Sequence, residues 1–346
     1  MQAHLLEVNN LKTHFSTEKG SVTAVDNVTF HIDIGETLGV VGESGCGKSV
    51  TSESILRLLD EKNSASYEGE ILYKNKNLLN ISQKEMRNIR GNDISMIFQD
   101  AMSSLNPVYT IGNQIMETIM LHQRCSKKVA REKAIEMLDL TGIPSPERRI
   151  HEYPYELSGG MRQRVMIAQA LACQPKLLIA DEPTTALDVT IQSQIIDLME
   201  ELKERYDMGI MFITHDLGVV AEVCTRVVVM YLGQIVEEAD VKNLFDEPLH
   251  PYTLGLINSI PDFEGERKRK LHVIEGKVPT LYNVPKGCRF ASRCPFADEK
   301  CETKEPPVFE HTEKHKVKCW HYKEILNKAG GNDEQRANTN ETITSQ

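Results

Sequence analysis

Over the first 41 positions, apolar residues alternate or fall in short runs. Leu6, Val8 and Leu11, then Val22, Val25, Val28, Phe30 and Ile32, predict strands joined by turns, and Thr37–Val41 predicts a third. Residues 69–73 and 94–98 read as two more. From about residue 100 to 157 the period lengthens. Stretches 112–121 and 127–140 carry apolar residues at helical spacing, with Ala130, Ala134, Met137 and Leu138 on one face. Strand-helix alternation then resumes: an apolar run at 177–180, a helix over 191–205, and runs at 210–213 and 227–230. Wholly apolar strands separated by helices predict a parallel sheet covered on both faces. The fold class is therefore α/β: a mainly parallel sheet, an N-terminal antiparallel β subdomain, an inserted α-helical unit and a small C-terminal cysteine-rich module. The division runs 1–99 with 159–261 for the core, 100–158 for the helical insertion and 262–326 for the C-terminal module. The last stretch, 327–346, is rich in Asn, Thr and Gly and predicts a disordered tail.

Composition narrows the partners. The chain has 346 residues and a formal net charge of −10, which argues against a general nucleic-acid binder. No apolar run approaches the roughly 18 residues that cross a bilayer, and the N-terminus lacks the charged and apolar regions of a signal peptide. A cytosolic protein is expected, one that reaches a membrane only by docking onto something else. The Arg267-Lys268-Arg269-Lys270 run in the polar 262–286 bridge reads as a solvated linker.

The candidate chemistry begins at Gly42-Glu43-Ser44-Gly45-Cys46-Gly47-Lys48-Ser49, a G-x-x-x-x-G-K-S phosphate-binding loop between an apolar strand and a helical stretch over 50–59. Its glycines let successive N–H groups point at an anion, and the helix adds the positive end of its dipole. Lys48 reaches the β- and γ-phosphates, and the Ser49 hydroxyl completes the shell of Mg2+. A nucleoside triphosphate is the expected ligand. Downstream, Asp181-Glu182 closes an apolar strand, with Asp181 placed for the ion and Glu182 for the attacking water as general base. Leu157-Ser158-Gly159-Gly160 precedes a helix over 165–172; Ser158 is an N-cap, and the glycines expose N–H groups at a positive helix end. One chain cannot readily aim both surfaces at one nucleotide, so two chains sandwiching it are expected.

With these residues in view, the chain resembles the nucleotide-binding subunit of an ATP-binding-cassette transporter over roughly residues 5–240. Phosphate loop, Gln99 after a strand, Leu-Ser-Gly-Gly, the Asp-Glu strand end, Ala186-Leu187-Asp188 and His215 follow one another in the family's order. The resemblance implies a P-loop ATPase core in which Gly42, Ser44, Gly45, Cys46, Gly47, Lys48, Ser49 and Val50 contact the nucleotide and Phe15 stacks on adenine. It implies that Gln99 meets magnesium or water and couples to the membrane subunit, alongside Ser49 and Asp181 at the ion. By the same resemblance, His215 would hold the γ-phosphate and orient Glu182. It implies, too, that Ser158 and Gly160 meet the γ-phosphate bound by the opposite subunit and that Asp188 reports across the interface. Two departures stand out: Met161 replaces the commonest Gln, and Cys46 a common Ser, placing a thiol near the nucleotide.

Gln99 to Pro107, His250-Pro251-Tyr252-Thr253 and the module Cys288, Cys294, Cys301 and Cys319 resemble the peptide and nickel importer branch. Dipeptide or oligopeptide import is the expectation, with nickel import the alternative. The cysteine spacing, C-x5-C-x6-C-x17-C, matches neither a short ferredoxin run nor a zinc ribbon. Four thiolates suit both a [4Fe–4S] cluster and structural Zn2+; the resemblance favours the cluster. Its role would be structural, because so short a segment buries too little surface to fold without a staple. Arg289 and Arg293 are expected to offset the thiolate charge.

The resemblance further implies a second ATPase subunit (paralogue or identical chain), two transmembrane permease subunits, an extracytoplasmic peptide-binding protein acting indirectly, and a peripheral place on the cytoplasmic face of the membrane. A soluble cassette ATPase acting in DNA repair or translation is the alternative class, but such proteins usually carry two cassettes or a long coiled-coil insertion. A purely regulatory module would predict a damaged Glu182 or His215, and both are intact.

Overall fold

A computed structural model describes residues 4–61, 64–100, 104–184, 189–260 and 273–326. Two sheets organise it. Strands β1 (Leu6–Thr17), β2 (Gly20–Ile32), β4 (Ala65–Tyr73) and β5 (Lys76–Asn77) form an antiparallel sheet in the order β2-β1-β4-β5. The larger sheet holds β3 (Thr37–Val41), β6 (Ile94–Ile97), β7 (Leu177–Asp181), β8 (Gly209–Thr214), β9 (Arg226–Tyr231) and β10 (Gln234–Asp240). Its edge is extended by β11 (Phe309–Thr312) and β12 (His315–Val317), giving the order β11-β12-β10-β9-β3-β8-β7-β6. From β9 to β6 every pairing is parallel.

The period-two geometry of a strand divides the core between the two faces. Leu177, Ile179, Met211, Ile213, Val228 and Met230 join the cluster shared with the antiparallel sheet. Their alternates Leu178, Ala180, Ile210, Phe212, Val227 and Val229 face the helices, which carry Val165, Ile167, Ile195 and Leu202. This layer continues into the insertion through Ile115, Ile119, Ala134 and Leu138. The insertion's helices, Ile111–Gln123 and Lys127–Leu140, are N-capped by Thr110 and Ser126.

Boundaries shift for local reasons. The helix after the phosphate loop is Lys48–Ile55, starting earlier and ending sooner than the expected helical stretch over 50–59. Thr51, Ser52 and Ser54 turn their hydroxyls back onto the carbonyls of Gly47, Ser49 and Val50, which weakens a helix interior. Arg57 then takes a left-handed φ of 48°. The helix after the Leu-Ser-Gly-Gly stretch starts earlier than expected, at Gly159, because the Ser158 hydroxyl caps it.

The C-terminal residues contribute more than a peripheral module: β12 pairs antiparallel with β10, with Glu237 opposite Val317 and Glu238 opposite Lys316. Their own cluster is small, formed by Leu249, Val317, Cys319 and Ile325. The expected tail at 327–346, the basic run 267–270 and Asp188 lie outside the described residues.

Candidate functional site

Three parallel strand ends build the site. β3 delivers the phosphate loop, β7 ends at Asp181, and β8 leads to His215. In the loop, Gly42, Gly45 and Gly47 have φ of 152°, 77° and 106°. A Cβ at Gly42 would drive into the Met230 carbonyl, and one at Gly47 would lie 2.9 Å from the Ala24 carbonyl, so these two turns require glycine. Ser44 and Gly45 are exposed, while Ser49 and Val50 are half-buried at the helix start. Lys48 is 5% exposed, and its Nζ donates to the carbonyls of Gly42 at 2.7 Å and Glu43 at 3.2 Å. The Cys46 thiol is buried beneath the loop in the core it shares with the antiparallel sheet. Burial pushes its pKa up, although Lys48 opposes this. The thiol expected near the nucleotide is therefore one turned into the core.

The acidic pair divides its roles. Asp181 is buried, and burial raises its carboxyl pKa against the Ser49 hydrogen bond. Its Oδ1 has no hydrogen-bond partner among the described residues. A buried carboxylate oxygen without a partner, beside a serine hydroxyl, is the donor set a hard cation takes, so the residues fit Mg2+. Glu182 adopts a left-handed φ of 47°, fixed by its N–H donating to the Ile213 carbonyl at 2.9 Å. Its two carboxylate oxygens are held apart: Gln99 Nε2 donates to Oε2 at 2.8 Å, and His215 Nδ1 lies 3.2 Å from Oε1. Gln99, Glu182 and His215, far apart in sequence, thus form one chain of contacts.

Ser158 caps its helix through Met161 N at 3.4 Å, and Ser158 and Gly159 are exposed. Met161 packs against the main core, which accounts for an apolar residue there. Gly160 faces Ile191, whose Cγ2 would lie 3.2 Å from a Cβ. Gln163 of the same helix donates to the Pro183 carbonyl, linking it to the segment after Glu182. Phe15 lies near the β1–β2 turn, half-buried, opposite Val22 and Ala65.

Cys288, Cys294, Cys301 and Cys319 line one small cavity together with His250, Phe290, Trp320 and His321. All four are free thiols. Burial raises each thiol pKa, to about 11 for Cys294 and about 12 for Cys319. Among the described residues, no three of these sulfurs approach one another within 4.8 Å. The softness of four thiols around one cavity suits a [4Fe–4S] cluster and Zn2+ alike. Arg289 and Arg293 do not serve the thiols as expected. Arg289 turns to Asp26 and the Leu232 carbonyl, and Arg293 to Glu43 of the phosphate loop.

The sequence reading missed these links and that of Tyr252, whose hydroxyl accepts the Glu43 N–H at 2.7 Å. Only the spacing of the cysteine module from the loop was legible, and spacing carries no information on contacts across the fold.

Comparison with known proteins agrees with this geometry. Residues 25–185 match the family model described as ABC transporter, and residues 236–301 match that of the oligopeptide/dipeptide transporter C-terminal region. The probable peptide ABC transporter ATP-binding protein y4tR of Sinorhizobium fredii is 55% identical over 323 residues, covering 93% of this chain and 96% of that protein. The oligopeptide transport ATP-binding protein AppD of Bacillus subtilis is 54% identical over 320 residues, covering 92% and 97%. Among solved structures, the dimeric post-hydrolysis state of the cassette MJ0796 bound to ADP and Pi superposes with a TM-score of 0.61 at 28% identity, covering 68% of this chain and 98% of that one.

Proposed function

The chain belongs to the peptide-transporter ATP-binding proteins of the ABC family, and on that premise we propose how its residues power import. It binds and hydrolyses ATP, and drives the uptake of dipeptides or oligopeptides by a membrane transporter. The carrying observation is the Gln99–Glu182–His215 chain of contacts at strand ends beside the phosphate loop.

ATP lies with its phosphates on the loop formed by Gly42 and residues 44–50, Lys48 on the β- and γ-phosphates and Phe15 against the adenine. Bound magnesium withdraws charge from the phosphates; Ser49 and Asp181 would hold it, with Gln99 beside them. Glu182 takes a proton from water as the water oxygen attacks the γ-phosphorus and ADP departs. His215 orients Glu182 and touches the γ-phosphate. Ser158 and Gly160 serve the nucleotide of a second subunit, which suits the exposure of Ser158 and Gly159, and the role assigned to Asp188 is to report across that interface. ATP closes the head-to-tail pair, and hydrolysis resets it.

The partners are a second cassette subunit, identical or paralogous, and two transmembrane permeases that receive peptide from an extracytoplasmic binding protein; nucleic acid is not among them. Among the described residues no helix is long and apolar enough to cross a membrane, and the assignment is peripheral, on the cytoplasmic face. Residues 1–99 with 159–261 act as the ATPase core, 100–158 as the helical arm toward the permeases and 262–326 as the peptide-transporter module. In that module Cys288, Cys294, Cys301 and Cys319 would hold a [4Fe–4S] cluster, a reading supported by four free thiols around one cavity; Zn2+ is the alternative.

Two experiments test this. Co-expression with the permeases should yield a co-purifying complex that turns over ATP; a chain that hydrolyses ATP but never associates with membrane subunits would be a soluble cassette. Anaerobic metal analysis should find about four iron and four sulfide per chain, whereas one colourless zinc would replace the cluster assignment.

A further inference from the structure

The C-terminal module reaches into the phosphate loop. Arg293 ends the short turn Ala291–Arg293, and its side chain is 3% exposed. Its Nη1 and Nη2 donate to Glu43 Oε2 at 2.6 Å and Oε1 at 3.0 Å, a two-pronged pairing with the second residue of the loop. Its other N–H bonds go to the carbonyls of Ile274 and Glu275, at 3.2 and 3.0 Å, and to the Tyr231 hydroxyl at 3.4 Å. The backbone on either side of Glu43 is fixed as well. Its N–H meets the Tyr252 hydroxyl, and its carbonyl receives Lys48 Nζ. A parallel link runs from Arg289 to the Leu232 carbonyl, and the next residue, Gly233, donates its N–H to the Cys46 carbonyl at 2.8 Å.

We propose that Arg293 is a positioning residue for the nucleotide site: through Glu43 it holds the phosphate-binding loop in the shape that receives the triphosphate. The phosphate-binding pattern makes no use of a carboxylate at position 43, and Coulomb's law disfavours one beside a triphosphate. A bidentate guanidinium pairing neutralises that charge and fixes direction as well as distance. A loop already held in its bound shape loses less conformational freedom when ATP arrives. The C-terminal module therefore contributes to nucleotide affinity as well as to its own fold.

This inference rests on residues 42–49 being the triphosphate site, and the experiment separates the two claims. Glu43→Gln keeps shape and leaves the Arg293 bonds to Ile274 and Glu275 available. If Glu43 acted only as a charge, its removal would tighten ATP binding. If it anchors the loop, its removal weakens binding, and we expect the Kd for ATP to rise about fivefold to tenfold. KM should rise with it, while kcat at saturation changes less than about twofold. Arg293→Lys, which keeps charge but loses the fork, should weaken binding too, and the double variant Glu43→Gln/Arg293→Gln should bind no worse than the weaker single variant. ATP affinity in Glu43→Gln equal to or tighter than the parent's, while Lys48→Ala loses affinity, would overturn the positioning role alone. Unchanged affinity in Lys48→Ala would overturn the site itself, and the proposal with it.

Discussion

Glu182 occupies a backbone conformation that costs a non-glycine residue about 1–3 kcal/mol, and the surrounding contacts explain why it persists. Its N–H is tied to Ile213, and its carboxylate is shared between Gln99 and His215. Such a group is aimed, not merely present. Glu182→Gln should therefore retain ATP binding while turnover falls about 10²–10⁴-fold; single-turnover hydrolysis near the parent rate would remove Glu182 as the base. Lys48→Ala should weaken ATP binding itself by tenfold or more, roughly what one charge-assisted contact to a phosphate contributes, as read by equilibrium titration. At this scale the sequence was largely legible, because residues 42–49 and 181–182 sit at strand ends that the apolar runs already mark. The side-chain packing of Cys46 and the partners of Arg289 and Arg293 were not. They depend on which element lies across from them.

Between elements, Glu237 of β10 is the junction that the hydrophobic pattern gave no reason to suspect. It is 1% exposed and accepts from Leu249 N at 2.7 Å, His250 N at 2.9 Å and His315 Nε2 at 2.8 Å. One carboxylate thus joins the core sheet to β12 and to the start of the helix Pro251–Asn258. Glu237→Ala would strand these donors in the interior, at about 3–5 kcal/mol; limited proteolysis should then cleave the C-terminal segment before the core. His250 caps that helix by accepting the Tyr252 N–H at 3.1 Å, so its ring is neutral there. Burial pulls its pKa from the ordinary 6.5 to about 3. Between those values the unfolded chain binds a proton that the folded chain refuses, so the stability is complete above about pH 6.5 and declines as pH falls toward 3. His250→Asn, which can still cap, should flatten that part of the urea-midpoint curve; an unchanged slope would place the acid sensitivity elsewhere. The strands of the parallel sheet were legible from runs such as 210–213, whereas β11 and β12 were not. Phe309–Thr312 and His315–Val317 are short and polar, and become strands only because the β10 edge is there to pair with.

Across the whole molecule, the same chain carries a phosphate-binding loop, an exposed Ser158–Gly159 helix start that we propose meets a second subunit's nucleotide, and a C-terminal module tied to the loop through Arg293. On the proposed function, the nucleotide site, the Ser158–Gly159 helix start and the cysteine site are linked within one chain, and ATP turnover should respond to what the permeases hold. The most direct measurement is ATP hydrolysis by the chain assembled with its permeases in lipid vesicles, with and without a peptide-loaded binding protein. The account predicts turnover that rises with peptide, accompanies peptide uptake and disappears in Glu182→Gln. Turnover indifferent to peptide, with no uptake of any peptide offered, would contradict it.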